Sequence, residues 1–154
     1  MFKVIPAPPE FRPYPIKFRA WEHHTGTMLD WLCLMQTAFN RNDYQLVYTV
    51  LSDPNHRFVK MMSTGIRDKN GKAIYEGDIV AAMSEGYKGV FEVRYRQDGM
   101  PCWLLFPAWQ NREFWKLHGS WNGECWEDDG VEIIGNIYQN PDKRPTTTDS
   151  KGGK

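Results

Sequence analysis

Residues 62–80 read MSTGIRDKNGKAIYEGDIV, and this stretch decides the fold of the chain. Its centre, Asn70-Gly71, is a strong signal for a β-hairpin turn, because both residues tolerate a positive φ. A two-residue loop at this dipeptide would place Ile66 opposite Tyr75. A longer turn over residues 68–71, with a glycine bulge, would shift the pairing by one residue and reverse the faces of the strands. The sequence therefore predicts the hairpin and leaves its register open.

Strand patterns lie on both sides of this hairpin. Residues 58–64 lead into it, and residues 79–83, 88–96 and 131–138 follow it as apolar or alternating runs. Short strands that are separated by turn residues every eight to twelve positions are typical of a small barrel. The sequence therefore predicts a mainly β fold of the α+β class, built as a small and partly open β-barrel.

A helical pattern follows the first predicted strand, which covers residues 16–21. Residues 23–26 form a turn, and apolar residues at steps of three and four predict a helix over residues 28–39 with Thr27 as its N-cap. Residues 43–51 fit a helix and a strand, and the Asp-Pro pair that follows favours a short helix. One or two helices are thus expected after the first strand.

The two ends of the chain differ from the middle in composition. Five of the ten prolines lie in residues 1–15, which predicts a proline-rich N-terminal arm in the extended polyproline II conformation. Residues 142–154 contain no apolar residue and predict a flexible tail. Residues 16–141 form the one expected domain, since a chain of 154 residues suits a single hydrophobic core.

Charge and apolar content exclude several classes of protein. The 19 Lys and Arg side chains balance 19 Asp and Glu, so no net positive field favours bulk binding of nucleic acid. No stretch approaches the roughly 18 apolar residues of a membrane span, and the first residues contain no secretory h-region. Three widely spaced cysteines indicate reduced thiols. These features predict a cytoplasmic protein without a membrane partner.

Five of the seven tryptophans fall within one segment of 24 residues, at steps of six, six, six and five: Trp103, Trp109, Trp115, Trp121 and Trp126. Even steps would keep consecutive rings on one face of a strand. The rings would then form an exposed aromatic ledge for a partner, or they would fill the centre of a small barrel, which is the commoner use of large rings. We expect at least two of the five to be exposed. A two-residue loop at Asn122-Gly123 would pair Trp121 with Glu124 and set Trp126 diagonally across.

Motifs for catalysis and for metal binding are lacking in the sequence. It contains no Cys-x-x-Cys pair, no Gly-x-Ser-x-Gly elbow and no phosphate-binding glycine loop. Glu76 and Asp78 could act as an acid–base pair, but Glu-Gly-Asp is more typical of a polar turn before a strand. We therefore expect no enzyme activity, no catalytic residue, no metal and no cofactor.

Basic residues alternate with aromatic ones at two places, Lys17 and Arg19 in the first and Arg94 and Arg96 in the second. Such stripes bind single-stranded nucleic acid by charge and stacking. Acidic residues close by weaken the local field, so a solvated polar face is the commoner interpretation.

Three blocks of the sequence resemble the YopX family of phage and prophage proteins: a first block at residues 16–21 followed by Met28, a second at residues 62–80, and a third at residues 131–141. The resemblance implies a mainly β, SH3-like barrel with helical additions that works inside a bacterium, and it implies no reaction. Most residues of the blocks read as turn or strand positions. The structural turn residues are Gly65, Asn70, Gly71, Glu76, Gly77, Asp78, Gly135 and Asn136. The polar side chains among them, those of Glu76, Asp78 and Asn136, are expected to accept hydrogen bonds from loop amides.

The leading functional hypothesis is a non-enzymatic phage or prophage accessory protein in the cytoplasm of its bacterial host. Its barrel would present the five tryptophans with Arg94 and Arg96 to a host or phage protein, or to its own copies, because open barrel edges favour association into homo-oligomers. The alternative hypothesis is a single-stranded nucleic-acid-binding module that uses Lys17, Arg19, Arg94 and Arg96. An enzymatic role for Glu76 and Asp78 is the weakest of the three.

Overall fold

The computed structural model describes residues 17–40, 44–84, 87–110 and 113–146. The predicted arm over residues 1–15 lies outside the described residues, as does the tail from residue 147 onward.

The described residues form eleven strands, two α-helices and a short 3-10 helix at Pro141–Lys143. The elements are β1 (Phe18–Glu22), β2 (Thr27–Leu29), α1 (Trp31–Asn40), α2 (Gln45–Ser52), β3 (Phe58–Asp68), β4 (Ala73–Tyr75), β5 (Asp78–Ser84), β6 (Tyr87–Arg96), β7 (Cys102–Gln110), β8 (Glu113–Lys116), β9 (Ser120–Trp121), β10 (Trp126–Asp128) and β11 (Val131–Asn136).

The strands assemble into two sheets. One has six strands in the order β2-β1-β3-β10-β9, with β4 also paired to β3, and the other has five in the order β11-β5-β6-β7-β8. The β3–β10 pair is parallel, which makes the six-stranded sheet mixed. The prediction of a mainly β fold with one or two helices is therefore confirmed, and the described part of the chain contains two α-helices. Within the described residues, however, the strands do not close into a barrel.

The hairpin of the second block adopts the longer of the two predicted turns. The Gly71 amide donates to the Asp68 carbonyl over 2.9 Å, and the Asp68 amide donates to the Lys72 carbonyl over 2.8 Å. Gly71 has a φ of +77°, as the last position of a three-residue loop with a glycine bulge requires. Arg67 thus lies opposite Ala73, and a further register shift toward Ser63 follows along β3.

The first helix begins later than its apolar spacing predicts. Thr27 belongs to β2, which pairs with β1, so the prediction that Thr27 caps the helix is wrong. Asp30 takes that role, because its carboxylate accepts a hydrogen bond from the Cys33 amide over 2.7 Å. The segment that fitted a helix and a strand forms α2, as favoured from the sequence.

Two groups of buried side chains hold the elements together. The larger lies between the strands and consists of Ile74, Val80, Ala82, Val93, Leu105, Ala108, Leu117 and Val131. The smaller packs the two helices on β1 and β3 and consists of Ala20, Leu34, Val50 and Phe58.

Candidate functional site

A cleft of about 470 Å³ lies where the two sheets meet. Strands β5, β7, β8 and β11 contribute to it from the five-stranded sheet, and β9 and β10 contribute from the six-stranded sheet. Its lining consists of Ala82, Met83, Leu105, Trp115, Lys116, His118, Ser120, Asp128, Asp129, Gly130 and Val131. Most of the segment between Trp115 and Ser120 lines this cleft, which connects it to the tryptophan-rich part of the sequence.

Hydrogen bonds donated by backbone amides set the shape of the cleft rim. The two carboxylate oxygens of Asp128 accept from the His118 amide over 3.0 Å and from the Gly130 amide over 3.1 Å. The Met83 amide in turn donates to the Gly130 carbonyl over 3.0 Å. A Cβ at Gly130 would lie 2.8 Å from the Met83 carbonyl oxygen, so a glycine is needed for this close approach. Asp128 and Gly130 therefore fix the β10–β11 turn against β5.

The cleft combines an apolar floor with a charged rim. Ala82, Leu105 and Val131 are buried at its base, and Met83 is 54% exposed. Lys116 and Asp129 are exposed at the rim and carry opposite charges. Such a surface accommodates an apolar group while it pairs with polar groups around it.

His118, Ser120 and Asp128 are the residue types of a hydrolytic triad, and all three line the cleft. Their arrangement is structural, because the Asp128 carboxylate accepts hydrogen bonds from the His118 and Gly130 backbone amides. Among the described residues no hydrogen bond joins the Ser120 hydroxyl to the His118 imidazole. A nucleophile needs such a base within reach to be activated.

Trp121 and Trp126 form a cross-strand pair at the end of the six-stranded sheet. They lie directly opposite each other in the β9–β10 hairpin, with ring centroids 5.5 Å apart and an interplanar angle of 60°. The predicted two-residue loop is therefore wrong, because the loop has four residues. Its conformation is held by the Asn122 side-chain oxygen, which accepts from the Glu124 and Cys125 amides.

The four tryptophans of this segment whose side chains are described divide between the two sheets. Trp103 and Trp115 pack partly buried against the larger core, beside Tyr95 and Phe91 respectively. The Trp109 side chain lies outside the described residues. Each of the four described tryptophan side chains is partly buried, so none of these four bears out the expectation of exposed rings.

Arg19, predicted for nucleic-acid binding, is instead engaged inside the protein. Its guanidinium donates to the Asp78 carboxylate over 2.7 Å and to the Glu76 carbonyl over 3.3 Å, and it lies over the Tyr75 ring. The side chain is 12% exposed, so these internal contacts leave little of the guanidinium accessible to a nucleic acid. Burial raises the pKa of Asp78, and the charge of Arg19 opposes that shift.

The four predicted cations are divided between the two sheets. Arg94 donates to the buried carboxylate of Glu92 over 2.9 Å and stacks on the Phe106 ring at 3.7 Å. Arg96 donates to the Met100 carbonyl. Lys17 precedes β1 in the six-stranded sheet, whereas both of these arginines lie on β6 in the five-stranded sheet.

Comparison with known proteins identifies the family of this chain. Residues 17–143 match the family model described as YopX protein. The chain belongs to the YopX family. The crystal structure of protein EF1440 from Enterococcus faecalis is similar, with 24% identity and a TM-score of 0.47 over 84% of this chain and 97% of that one. No curated protein matches the sequence.

In this YopX-family protein the predicted turn residues carry out local structural roles. The second carboxylate oxygen of Asp78 accepts from the Tyr75 amide over 2.8 Å. The Asn136 side-chain oxygen accepts from the Tyr138 and Gln139 amides. A Cβ at Gly135 would lie 2.5 Å from the Asn140 side-chain oxygen, which explains the glycine.

Glu76 is half-buried beside Asp78 in the same turn, and burial raises the pKa of its carboxyl. Neither carboxylate lines the cleft. The two acidic residues that could have formed an acid–base pair thus lie away from it.

Sequence reasoning missed several buried carboxylates of the YopX-family protein, among them those of Asp68 and Glu22. Asp68 is fully buried and accepts from the Asn70, Lys72 and Ile133 amides. Glu22 accepts from the Arg57 guanidinium over 2.7 Å and from loop amides after β1, and these contacts lower its pKa to about 2. Asp68 could have been found, because an aspartate at the first position of a turn commonly bonds the backbone ahead of it.

Neither helix that the structure describes in full has the length or the apolar run that crossing a bilayer requires. Within the described part of the chain, no group of three His, Cys, Asp or Glu side chains converges as metal ligands would.

Proposed function

We propose that this YopX-family protein is a non-enzymatic binding module of phage or prophage origin that recognises a partner protein through the cleft between its two sheets. The observation that carries the proposal is the cleft itself, which has a buried apolar floor and an exposed rim of both charges. A location in the cytoplasm of the bacterial host and an SH3-like, partly open arrangement of the strands, both implied by the family resemblance, belong to the same proposal.

The chemistry of the cleft favours a polypeptide as its ligand. The floor of Ala82, Leu105 and Val131 offers contacts to an apolar side chain, which supplies the main favourable free energy of most protein association. Lys116 and Asp129 on the rim match the mixed charges of a protein surface. The Asp129 carboxylate would repel the phosphates of a nucleic acid.

Strands at the ends of both sheets add a second reason for a protein partner. In the described residues β8 ends the five-stranded sheet and β9 ends the six-stranded sheet, and both lie at the cleft. An extended segment of a partner gains backbone hydrogen bonds when it adds to such an edge. The same edges would allow copies of this chain to associate.

The absence of enzyme activity in the proposal rests on how the polar groups of the cleft are used. The Asp128 carboxylate holds two backbone amides of the rim. It thus serves as a structural hydrogen-bond acceptor. In a hydrolase of the Ser-His-Asp type, this carboxylate would instead accept a hydrogen bond from the imidazole.

A single-stranded nucleic-acid-binding module stays the alternative. Its main support is the alternation of basic and aromatic residues in the sequence. The contacts of Arg19, Arg94 and Arg96 with acceptors of the protein reduce the charge that they can offer to phosphates. The protein partner is therefore the better supported of the two.

Selection of a displayed random-peptide library on the immobilised full chain tests the proposal. We expect enriched peptides whose binding falls about tenfold or more in Met83→Glu, since a carboxylate near the apolar floor costs more than 1.4 kcal/mol of binding free energy. Met100→Glu is the matched control, because Met100 is also exposed but lies in the β6–β7 loop, away from the cleft lining. Thermal unfolding of both variants checks that each is folded.

Equal binding of the enriched peptides to all three proteins would place their site elsewhere and refute the cleft. A selection without any enriched peptide would do the same. Saturable binding of a labelled oligonucleotide that weakens steeply with salt would instead favour the alternative.

A further inference from the structure

The two helices expose an unusual amount of apolar surface. Of the ten large hydrophobic side chains that are exposed in the described residues, half lie on or beside α1 and α2. Their side chains are 54% to 70% exposed, and they are Leu32, Phe39, Tyr44, Tyr48 and Leu51. This set is called the helical aromatic face below. Exposed apolar patches of this kind mark interaction sites in soluble proteins.

These residues lie on common sides of their helices, facing away from the core. Leu32 and Phe39 are seven residues apart on α1, and so are Tyr44 and Leu51 at α2, which is the spacing of one helix face. The Phe39 and Tyr44 rings meet edge to face with centroids 6.4 Å apart, and this contact joins the two helices. The helical aromatic face is therefore one connected surface.

A groove of about 450 Å³ runs along α1 beside this face. Its lining includes Leu32, Cys33, Gln36 and Asn40, so it spans the helix from end to end. The Gln36 and Asn40 side-chain amides supply hydrogen-bond donors. Aromatic rings together with side-chain donors are the features that bind polyproline II segments, because such segments have no internal hydrogen bonds and leave their carbonyls unpaired.

The chain itself supplies a segment of matching chemistry at the right place. Residues 1–16 precede β1 and contain five prolines together with Phe2, Phe11 and Tyr14. The Phe18 ring at the start of β1 contacts the Trp31 ring at the start of α1, with centroids 5.7 Å apart. The arm thus joins the described domain beside one end of the groove.

Length allows the arm to cover this surface. Sixteen residues of polyproline II span about 50 Å at 3.1 Å per residue. The ten residues of α1 span about 15 Å at 1.5 Å per residue. The arm is long enough to follow α1 and to reach the rings on α2.

We propose that residues 1–16 dock intramolecularly along α1, with their prolines and aromatic side chains covering the helical aromatic face. This surface is separate from the cleft of the proposed function, and the docked arm would keep it from associating with other molecules.

Cys33 provides a direct probe, because its thiol is exposed within the groove. A Cys102→Ser, Cys125→Ser background leaves this thiol as the one reactive group. We compare its rate of modification by a disulfide reagent in the full chain and in a full-length variant with Phe2→Ser, Phe11→Ser and Tyr14→Ser. If the wild-type arm is docked about 90% of the time, the variant reacts about tenfold faster. A synthetic peptide of residues 1–16 added to the variant should restore the protection, and a scrambled peptide should not.

Equal rates in both proteins would overturn the proposal. Protection of the Cys33 thiol that increases with protein concentration would also overturn the proposal, because the arm of a second copy would then be the segment that protects it. Light scattering across the same concentrations checks this distinction. The three substitutions lie outside the described domain, and a thermal unfolding curve confirms that the variant is folded.

Discussion

Replacing Arg19 with methionine tests how the buried ion pair supports the fold. Methionine keeps much of the length of the side chain and removes the charge. The Asp78 carboxylate would then lie 2% exposed and without its cationic partner. It would keep one hydrogen bond, from the Tyr75 amide.

The expected loss of stability follows from this isolated charge. Removing one partner of a buried ion pair costs about 3–5 kcal/mol, and we expect about 3 kcal/mol because Arg19 itself is 12% exposed. For a domain of this size that loss lowers Tm by roughly 6–12 °C. In the double variant Arg19→Met, Asp78→Asn the buried group is neutral and keeps an acceptor oxygen, so about half of the loss should return.

The loss should also depend on pH in a defined direction. Burial raises the pKa of Asp78 above its ordinary 3.8, and Arg19 opposes this rise, so the variant raises the pKa further. A group whose pKa is higher in the folded state favours folding at pH values below its unfolded pKa, and this benefit is lost as the pH rises through the folded pKa. The deficit of Arg19→Met relative to the wild type should therefore shrink as the pH falls from 7 toward about 4.

Urea unfolding followed by tryptophan fluorescence measures these free energies, with Arg96→Met as the matched control. The Arg96 guanidinium donates to the Met100 carbonyl at an exposed site, so its loss should cost about 1 kcal/mol or less. A change below about 1 kcal/mol for Arg19→Met at neutral pH would refute the reasoning. A loss that is equal at both pH values would refute it as well, and either result would return Arg19 to the residues open to a ligand.

Three further predictions concern the turns. Asp68→Ala should lower the free energy of unfolding by about 3 kcal/mol or more, measured by urea titration, since three amides lose a charged acceptor; a loss below 1 kcal/mol would contradict this. Gly71→Ala should cost about 1–2 kcal/mol in the same assay, because φ is +77° in open space, and Gly71→Asn should cost less. Glu22→Gln should lower Tm at neutral pH. The hydrogen bond from the Arg57 side chain is the main reason that the pKa of Glu22 falls from 4.5 to about 2. The difference in Tm between the variant and the wild type should therefore vanish as the pH falls through this range. A difference in Tm that does not depend on pH would argue against the contact.

The hairpin of the second block shows how far local sequence determines structure. Alternating apolar residues around Asn70-Gly71 predict two strands and a turn, and both are present. The register depends in addition on Asp68, whose carboxylate bonds two amides of the turn and the Ile133 amide. Ile133 lies 65 residues away, so a local pattern cannot reveal that this carboxylate is buried at the junction of two sheets.

The start of α1 illustrates a tertiary contact that overrides helix periodicity. The apolar spacing runs through Met28 and fits a helix from there onward. Residues 27–29 instead pair with β1, where Met28 lies opposite Trp21. A strand pairing of three residues extends the sheet, and Asp30 then begins the helix with a side-chain cap. Helical spacing alone does not show whether residues 27–29 will form the first turn of the helix or a strand of the sheet.

The tryptophan segment shows where an argument from even residue spacing fails. Even spacing keeps side chains on one face only within a continuous and regular strand. The pairing of β7 with β8 shifts register between Leu104 and Trp109, and residues 117–119 then carry the chain into the other sheet. Trp103 and Trp121 therefore belong to different sheets in spite of their even separation. The cleft that forms between these sheets was not predictable from spacing, because residues from six strands and the segments between them line it.

The contacts between the three blocks separate what maintains this fold from what can recognise a partner. Arg19 of the first block pairs with Asp78 of the second, and Asp68 of the second bonds the Ile133 amide of the third. The residues that carry the family resemblance therefore meet as the polar framework that joins the sheets. Because these side chains are occupied within the protein, we expect recognition of a partner to depend on a part outside the blocks, namely the cleft rim. Substitutions at the joining contacts should then lower Tm and binding together, whereas substitutions on the rim should lower binding alone.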